Sequence, residues 1–467
     1  MSDQVVQGYF WLPNSPQNRW PGALTISDDD NELELMYPEV NREQLQEHAM
    51  SNRKVPILFG SLLGMGDVTI RGALPSGGIR HTTTVSSVGY WMFDLLIGAH
   101  VSGEIYSSLS LDVEWLAEWA PLPRMCQHHG DELVISLSEE TLLSTQVSKA
   151  RIEFVRQVDH SESLLETTTG QGCFLNIKNK GPLDDLITDW VGPIQDLMLI
   201  ALGHRPGVLK ILVECPIDEE LSPIWVEYQP SLQDIGASGT HPRLIDRLGY
   251  SKTILLPNDN LIDFGCIITK WFISEKELGV PVAMLNSASR AGNMHAEHRY
   301  LTLFIAIDAL AKLSNEIDTK AMPSEDFDQR ITVLEQALDQ DSIGDDIRGW
   351  ALNILRNKNQ KSQKRIIGDF LLQSELFSPE DTRRIAAVLS NVRVQIAHNG
   401  VIRGISSDDV AHRVFYLATM MEWLVRAELL VRLGTPRKSV VSRLEANSLF
   451  RWVRKGVIES LPKARQK

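Results

Sequence analysis

The chain has 467 residues, of which 43% are hydrophobic and 23% charged, and its 46 basic and 60 acidic side chains give a net charge of −14. This composition excludes a disordered chain and is typical of a globular protein with room for two or three domains. Residues 1–290 hold 20 basic and 38 acidic side chains, whereas residues 291–467 hold 26 and 22. Only the C-terminal part is therefore suited to bind a polyanion.

The sequence predicts a cytoplasmic protein that does not contact a membrane. No apolar run approaches the ~18 residues that cross a bilayer, and the N-terminal residues MSDQVVQGYF lack the features of a signal peptide. Four scattered cysteines are expected to be buried free thiols, as in a reducing compartment: Cys126, Cys173, Cys215 and Cys266.

From residue 8 to about residue 180, the chain reads mostly as strands. Residues 23–26 and 32–35 flank an Asp-rich turn and predict a hairpin. Further short apolar stretches predict strands at 55–59, 68–73, 90–97, 109–115, 133–137, 152–155 and 174–177. We therefore expect an antiparallel sheet, a sandwich or an open barrel.

The apolar period then changes to that of a helix between Leu183 and Leu197, with an irregularity expected at Pro193. Strand character returns at 208–213 and 224–228, so the N-terminal region is β-rich with helical insertions. Small residues and weak periodicity between residues 277 and 291 are typical of a domain boundary. The predicted domains are therefore residues 1–290 and 291–467.

Beyond residue 296 the sequence predicts a bundle of helices. The first, HRYLTLFIAIDALAKL, is apolar on almost every side and is expected to be central and buried. Further helices are predicted at 326–338, 347–355, 365–372, 382–399 and 408–433. The fold class is therefore α+β and multidomain, with an all-α C-terminal bundle.

The helix at 382–399 contains Arg393, four intervening residues and His398, and Asn399-Gly400 is expected to end it. The same spacing also occurs at Arg124 with His129 and at Arg290 with His295, so the spacing alone is not specific. The first of these follows a Pro-x-Pro sequence, and the second spans Gly292 and Asn293. Only the copy at 393–398 is predicted to lie in a well-formed helix.

With its neighbouring helices, the sequence RVQIAHNG resembles the catalytic motif of HEPN ribonucleases. In that family an acidic residue often interrupts an apolar helix, and here Asp308 in FIAIDAL takes that position. An unpaired carboxylate among apolar neighbours is costly, so Asp308 should have a partner. It either holds the bundle together through a buried hydrogen bond or ion pair, or it orients Arg393 or His398.

The resemblance implies RNA cleavage without a metal or cofactor. Histidine can transfer protons at neutral pH, and the arginine guanidinium can hold two phosphate oxygens where negative charge accumulates. Positions 393 and 398 diverge by about 140° around one helix. Two motif helices that meet at a two-fold axis would bring each arginine to the other chain's histidine, so we expect a homodimer.

Two further groups of side chains are candidates for binding. A basic cluster in RNKNQKSQKR is the candidate RNA contact, and it consists of Arg356, Lys358, Lys361, Lys364 and Arg365. The other group, Cys126, His128 and His129, fits no zinc spacing, so no metal site is predicted.

The whole layout resembles the ApeA family of bacterial anti-phage proteins, most specifically at residues 22–25 and 96–99 and at Asp308, Arg393 and His398. This resemblance implies an endoribonuclease that acts on a cellular RNA such as tRNA and leaves 2′,3′-cyclic phosphate ends. The N-terminal region would then restrain the nuclease or respond to a phage-derived trigger or inhibitor. The alternative is a non-catalytic HEPN module that binds a nucleotide or a protein.

Overall fold

The computed structural model describes residues 4–27, 31–38, 54–81, 85–91, 93–119, 126–129, 132–135, 140–162, 167–215, 224–229, 253–255, 263–290, 295–314, 317–340, 344–356, 359–399 and 407–461. The chain divides into two compact units. Unit 1 comprises Met1–Met198, Pro206–Ile245 and Leu256–Phe272, and unit 2 comprises Leu199–Arg205, Asp246–Leu255 and Ile273–Lys467. The predicted fold class is confirmed, and the domain boundary at 290/291 stays a prediction.

Unit 1 is built mainly from antiparallel strands. They are β1 (Gln4–Trp11), β2 (Trp20–Ile26), β3 (Glu32–Pro38), β4 (Val55–Leu62), β5 (Gly66–His81), β6 (Val85–Trp91), β7 (Asp94–Ile97), β8 (Ile105–Tyr106), β9 (Ser108–Val113), β10 (Cys126–His129), β11 (Glu132–Ile135), β12 (Glu140–Val147), β13 (Ala150–Glu162), β14 (Thr167–Lys178), β15 (Gly181–Pro182), β16 (Val208–Cys215) and β17 (Ile224–Gln229). Thirteen of these form one sheet in the order β12-β13-β14-β9-β16-β17-β7-β5-β4-β1-β2-β3-β6. The predicted hairpin is present as β2–β3, in which Thr25 pairs with Glu32.

An additional pairing of β5 with β6 closes six of these strands into a ring. The first half of β5 pairs with β4 and β7, and its second half pairs with β6. A register shift between Pro75 and Ile79 marks the change of partner, since a bulge bends a strand and increases its twist. Phe10 is fully buried in the core of this ring. A Cβ atom at Gly60 would lie 2.7 Å from the Phe10 ring, so the close approach there requires glycine.

The remainder of the sheet is accompanied by short helices. They are α1 (Leu116–Trp119), α2 (Leu183–Leu186), a π-helical turn (Ile187–Val191), α3 (Gly192–Leu202) and α4 (Phe264–Ser274). The π-helical turn directly precedes Pro193, where the sequence predicts an irregularity, because proline cannot donate the helical hydrogen bond. Phe264 packs edge-on against Trp119 and Phe154 with ring centroids 5.0 and 5.8 Å away. These aromatic contacts attach α4 to the sheet.

Unit 2 is helical. Its helices are α5 (Gly279–Arg290), α6 (Ala296–Leu313), α7 (Ser324–Gln340), α8 (Asp345–Arg356), α9 (Gln363–Gln373), α10 (Pro379–Asn399), α11 (Ser407–Arg432), α12 (Arg437–Ala446) and α13 (Ser448–Ser460). The predicted central helix is α6, of whose 18 residues seven are buried, whereas the apolar Ile305 is exposed. Tyr300 on α6 donates a hydrogen bond to the Leu389 carbonyl of α10 at 2.6 Å. This bond fixes α10 against the centre of the bundle.

Five helices lie where the sequence did not predict a helix: α1, α4, α5, α12 and α13. The expected boundary region at 277–291 contains α5, because Val282, Leu285 and Ala288 recur every three residues and are buried. The C-terminal basic residues are partly carried by α13, which Asn447 caps by accepting a hydrogen bond from the Phe450 amide at 3.0 Å. Small residues therefore did not indicate irregular structure at α5.

A fully buried arginine ties α11 to the end of α3 within unit 2. Arg426 donates from Nε to the Ile200 carbonyl at 2.9 Å and from Nη2 to the Ala201 carbonyl at 3.0 Å. Its guanidinium also lies 4.9 Å from the Trp423 ring centroid. These bonds satisfy carbonyl groups that a helix end leaves without an intrahelical donor. Burial lowers the pKa of Arg426 to about 10, against the opposing effect of Glu422, so the side chain remains charged at neutral pH.

The cysteines agree with the prediction in part. Cys173 and Cys215 are free and buried, and burial raises their thiol pKa values to about 12 and about 11. Cys266 is free but exposed, because it lies off the buried stripe of α4. The side chain of Cys126 lies outside the described part of the chain. Among the described residues, no helix is long and apolar enough to cross a membrane.

Candidate functional site

The candidate site is organised around α10, whose limits follow from local sequence signals. Ser378 precedes the helix; its hydroxyl accepts a hydrogen bond from the Asp381 amide at 3.1 Å and donates one to the Asp381 carboxylate at 2.8 Å. This is a capping arrangement, and Pro379 suits the first helical position. The helix ends at Asn399, as predicted. Its 21 residues form a rigid support for the Arg-x4-His sequence.

Arg393 lies at the edge of the buried face of α10. The buried stripe includes Leu389, Val392 and Ile396, whereas Val394 is exposed. Arg393 itself is half-buried. The aliphatic part of such an arginine can pack on apolar neighbours while its guanidinium reaches water. This position allows Arg393 to meet a phosphate at the protein surface.

His398 occupies the last turn of the same helix, and its side chain lies outside the described part of the chain. Helix geometry separates positions 393 and 398 by about 7.5 Å along the axis and about 140° around it. The two positions therefore lie on different sides of the helix.

The other two Arg-x4-His sequences do not lie within a single described helix. His129 is the last residue of the strand β10, and Arg124 falls outside the described residues. Arg290 is the last residue of α5, and His295 immediately precedes α6. The context of Arg393 and His398 therefore differs from that of both other pairs, as the sequence predicts.

Asp308 has the partners that its environment requires. Its carboxylate lies 2.6 Å from the Lys312 ammonium and accepts a hydrogen bond from Gln363 Nε2 at 3.3 Å. The side chain of Asp308 is 18% exposed. Within the described residues the Lys312 contact lies inside α6, the Gln363 contact links α6 to the start of α9, and no described contact joins Asp308 to Arg393. A hydrogen bond and an ion pair are the contacts that the first alternative requires, and the role of Asp308 stays a prediction.

The five residues of the basic cluster differ in their surroundings. Lys364 and Arg365 are exposed in the first turn of α9. Lys361 is only 13% exposed, and its ammonium lies 3.1 Å from the Asp369 carboxylate. Arg356 ends α8 with its side chain outside the described part, and Lys358 falls outside the described residues. Lys364 and Arg365 are therefore the members best placed to meet a polyanion.

Two polar atoms on α10 were not predicted from the sequence. Ser390 Oγ and Gln395 Oε1 are buried and have no hydrogen-bond partner among the described residues. They lie one turn before positions 393 and 398 respectively, on the same sides of the helix. The sequence signal that could have identified these two residues is a polar residue within the apolar stripe of a helix. Both atoms can accept hydrogen bonds beside the candidate site.

For a metal, the described part of the chain offers no group of three or more His, Cys, Asp and Glu side chains that could hold an ion. Cys126, His128 and His129 lie on β10, which pairs with β11, and their side chains lie outside the described part. The sequence-based expectation of no metal and no cofactor stays a prediction.

Fold and site together define a two-part protein, with a strand-rich N-terminal unit and a helical C-terminal unit that carries an Arg-x4-His helix. The family described as ApeA N-terminal domain 1 matches residues 5–271, which is more than half of the chain. The chain belongs to this family and is an ApeA-like anti-phage protein. The matched range ends one residue before Phe272, the last residue of unit 1. Comparison with curated proteins and comparison with solved structures gave no match.

Proposed function

We propose that this protein is a metal-independent endoribonuclease of an anti-phage system, which acts by abortive infection on a cellular RNA such as tRNA. The C-terminal helical unit is proposed to be a HEPN domain. The observation that carries the proposal is that Arg393 and His398 share one capped helix, five positions apart, with Arg393 at the edge of its buried face. A rigid helix fixes both positions without requiring a flexible loop.

The proposed reaction needs two proton transfers and one cation. The ribose 2′-oxygen attacks the phosphorus and loses its proton to a base, while the bond to the 5′-oxygen breaks and an acid protonates that oxygen. The products are a 2′,3′-cyclic phosphate and a 5′-hydroxyl. Histidine is suited to both proton transfers near neutral pH. The planar guanidinium of Arg393 stabilises the charge on the phosphate oxygens.

We propose that the active form is a homodimer with a shared cleft. Positions 393 and 398 diverge around one helix, so Arg393 of one chain and His398 of the other can serve one phosphate more easily than a pair from a single chain. A two-fold axis between two α10 helices would form two such cross-subunit pairs. The exposed Lys364 and Arg365 are the proposed contacts to flanking RNA phosphates. Unit 1 is proposed to restrain the nuclease until a phage-derived trigger acts on it.

The test is cleavage of total RNA by His398→Ala and by Arg393→Lys. Both variants should lose cleavage, the first because the proton transfer is removed and the second because an ammonium cannot make the two-pronged phosphate contact. Matched controls are His412→Ala and Arg383→Lys, since both native residues are exposed on helices of the same unit. Cleavage that persists in both motif variants at equal concentration of folded protein would refute the proposal.

A further inference from the structure

The helical hairpin formed by α7 and α8 buries little of its own apolar surface. Of the described side chains on these helices, only Leu352 is buried, with 8% of it exposed. Helices of this length obtain most of their stability from packing an apolar face. A hairpin of two helices that leaves its apolar residues in water therefore lacks a partner for that face.

On α8 the uncovered residues form a single stripe. Ile347 is 61% exposed, Trp350 67%, Ile354 39% and Leu355 36%, and the half-buried Ala351 lies among them. Their spacing places them on one side of an α-helix. These side chains expose roughly 400 Å² of apolar surface, which is in the range that marks a contact surface on a soluble protein.

The order of residues in this stripe is self-complementary for all members except Leu355, whose counterpart is Asp346. The helix Asp345–Arg356 has its midpoint between Trp350 and Ala351. If two copies pair antiparallel about that midpoint, Ile347 of each chain lies opposite Ile354 of the other, and the large Trp350 lies opposite the small Ala351. Two helix surfaces pack closely and without a void when a large side chain on one helix lies opposite a small side chain on the other.

Charge favours the antiparallel arrangement over the parallel one. Asp345 and Asp346 both lie in the first turn of α8. Parallel pairing would bring four carboxylates together and align the two helix dipoles, whereas antiparallel pairing places the acidic turns at opposite ends. An antiparallel pair related by a two-fold axis uses the same helix face on both chains.

We propose that the α8 stripe is a self-association surface whose occupant is the α8 helix of a second copy of this chain. The surface is separate from α10 and does not depend on nuclease activity. The area is smaller than the ~800 Å² per partner of a standard interface. Self-association should therefore depend on protein concentration, with a dissociation constant of roughly 1 to 100 µM.

The first test is the mass of the full-length protein by sedimentation over that concentration range. Trp350→Glu should halve the mass, from dimer to monomer, or from tetramer to dimer if α10 forms a second two-fold contact. Trp452→Glu is the matched control, because Trp452 is 50% exposed on α13; it should leave the mass unchanged. A wild-type chain that is monomeric throughout the range, or a folded Trp350→Glu variant with the wild-type mass, would overturn the proposal.

A second test measures which residues of the two α8 helices face each other. It does not depend on whether the Trp350→Glu variant folds. Ile347→Cys and Ile354→Cys are prepared separately with Cys266→Ser, because the Cys266 thiol is exposed. In the proposed register, like positions are about 10.5 Å apart along the helix axis, whereas 347 and 354 of different chains face each other. Mild oxidation should therefore link chains in the mixture of the two variants and not in either variant alone. Equal linking in all three samples, or none in the mixture, would contradict the pairing.

Discussion

Replacing Arg426 with methionine should destabilise unit 2 strongly. The substitution retains most of the side-chain length but removes the donors that bind the Ile200 and Ala201 carbonyls at 2.9 and 3.0 Å. A hydrogen bond from a charged donor contributes about 1.5 to 3 kcal/mol, so the two represent about 3 to 6 kcal/mol. Relief from burying a charge and the added apolar contact offset part of this loss. We expect a net decrease of about 3 to 4 kcal/mol in the free energy of unfolding.

The control is Arg413→Met on the same helix. Arg413 is half-buried and donates to the Ser460 carbonyl at 2.9 Å, and losing that bond should cost about 1 to 2 kcal/mol. Urea unfolding gives the free energies, and hydrogen exchange of α11 peptides assigns the change to unit 2. If Arg426→Met costs no more than Arg413→Met, the two carbonyl bonds do not stabilise the helix junction as argued.

Three further outcomes are expected. RNA cleavage should survive EDTA, because imidazole and guanidinium need no metal; activity lost in EDTA and restored by Mg²⁺ beyond its effect on RNA folding would contradict this. A mixture of Arg393→Ala and His398→Ala chains should regain cleavage after the chains exchange subunits. Differently tagged chains verify that heterodimers have formed. If verified heterodimers remain inactive, the cross-subunit pairing is refuted. Stability should fall by at least about 2 kcal/mol between pH 10 and 11, measured by urea midpoints. Burial raises the pKa of Tyr228 and Tyr300, and it raises the pKa of Cys215 to about 11. In this pH interval the native state therefore retains protons that the unfolded chain releases, and the native state loses stability as the pH rises. The lowered pKa of Arg426, about 10, offsets only part of this loss. A constant midpoint over this interval would refute the assignment.

The sequence by itself determined the features that depend on neighbouring residues. The helix α10 was predicted because its apolar residues recur every three or four positions and Asn399-Gly400 marks its end. The β2–β3 hairpin was predicted because two alternating stretches flank an Asp-rich turn. Both signals act over fewer than about ten residues, where periodicity and turn chemistry decide the backbone. The relative placement of positions 393 and 398 follows from the helix alone.

Only the tertiary structure decided the features that depend on residues distant in the chain. The β5–β6 pairing that closes the ring, the contact of Gln363 with Asp308 and the ion pair of Lys361 with Asp369 are matters of register and packing. Sequence shows that a helix is amphipathic, but it does not show whether the same chain covers the apolar face. The physical reason is burial, which depends on distant residues. Buried side chains stabilise α5 where the sequence predicted a domain boundary, whereas the apolar stripe of α8 remains exposed to water.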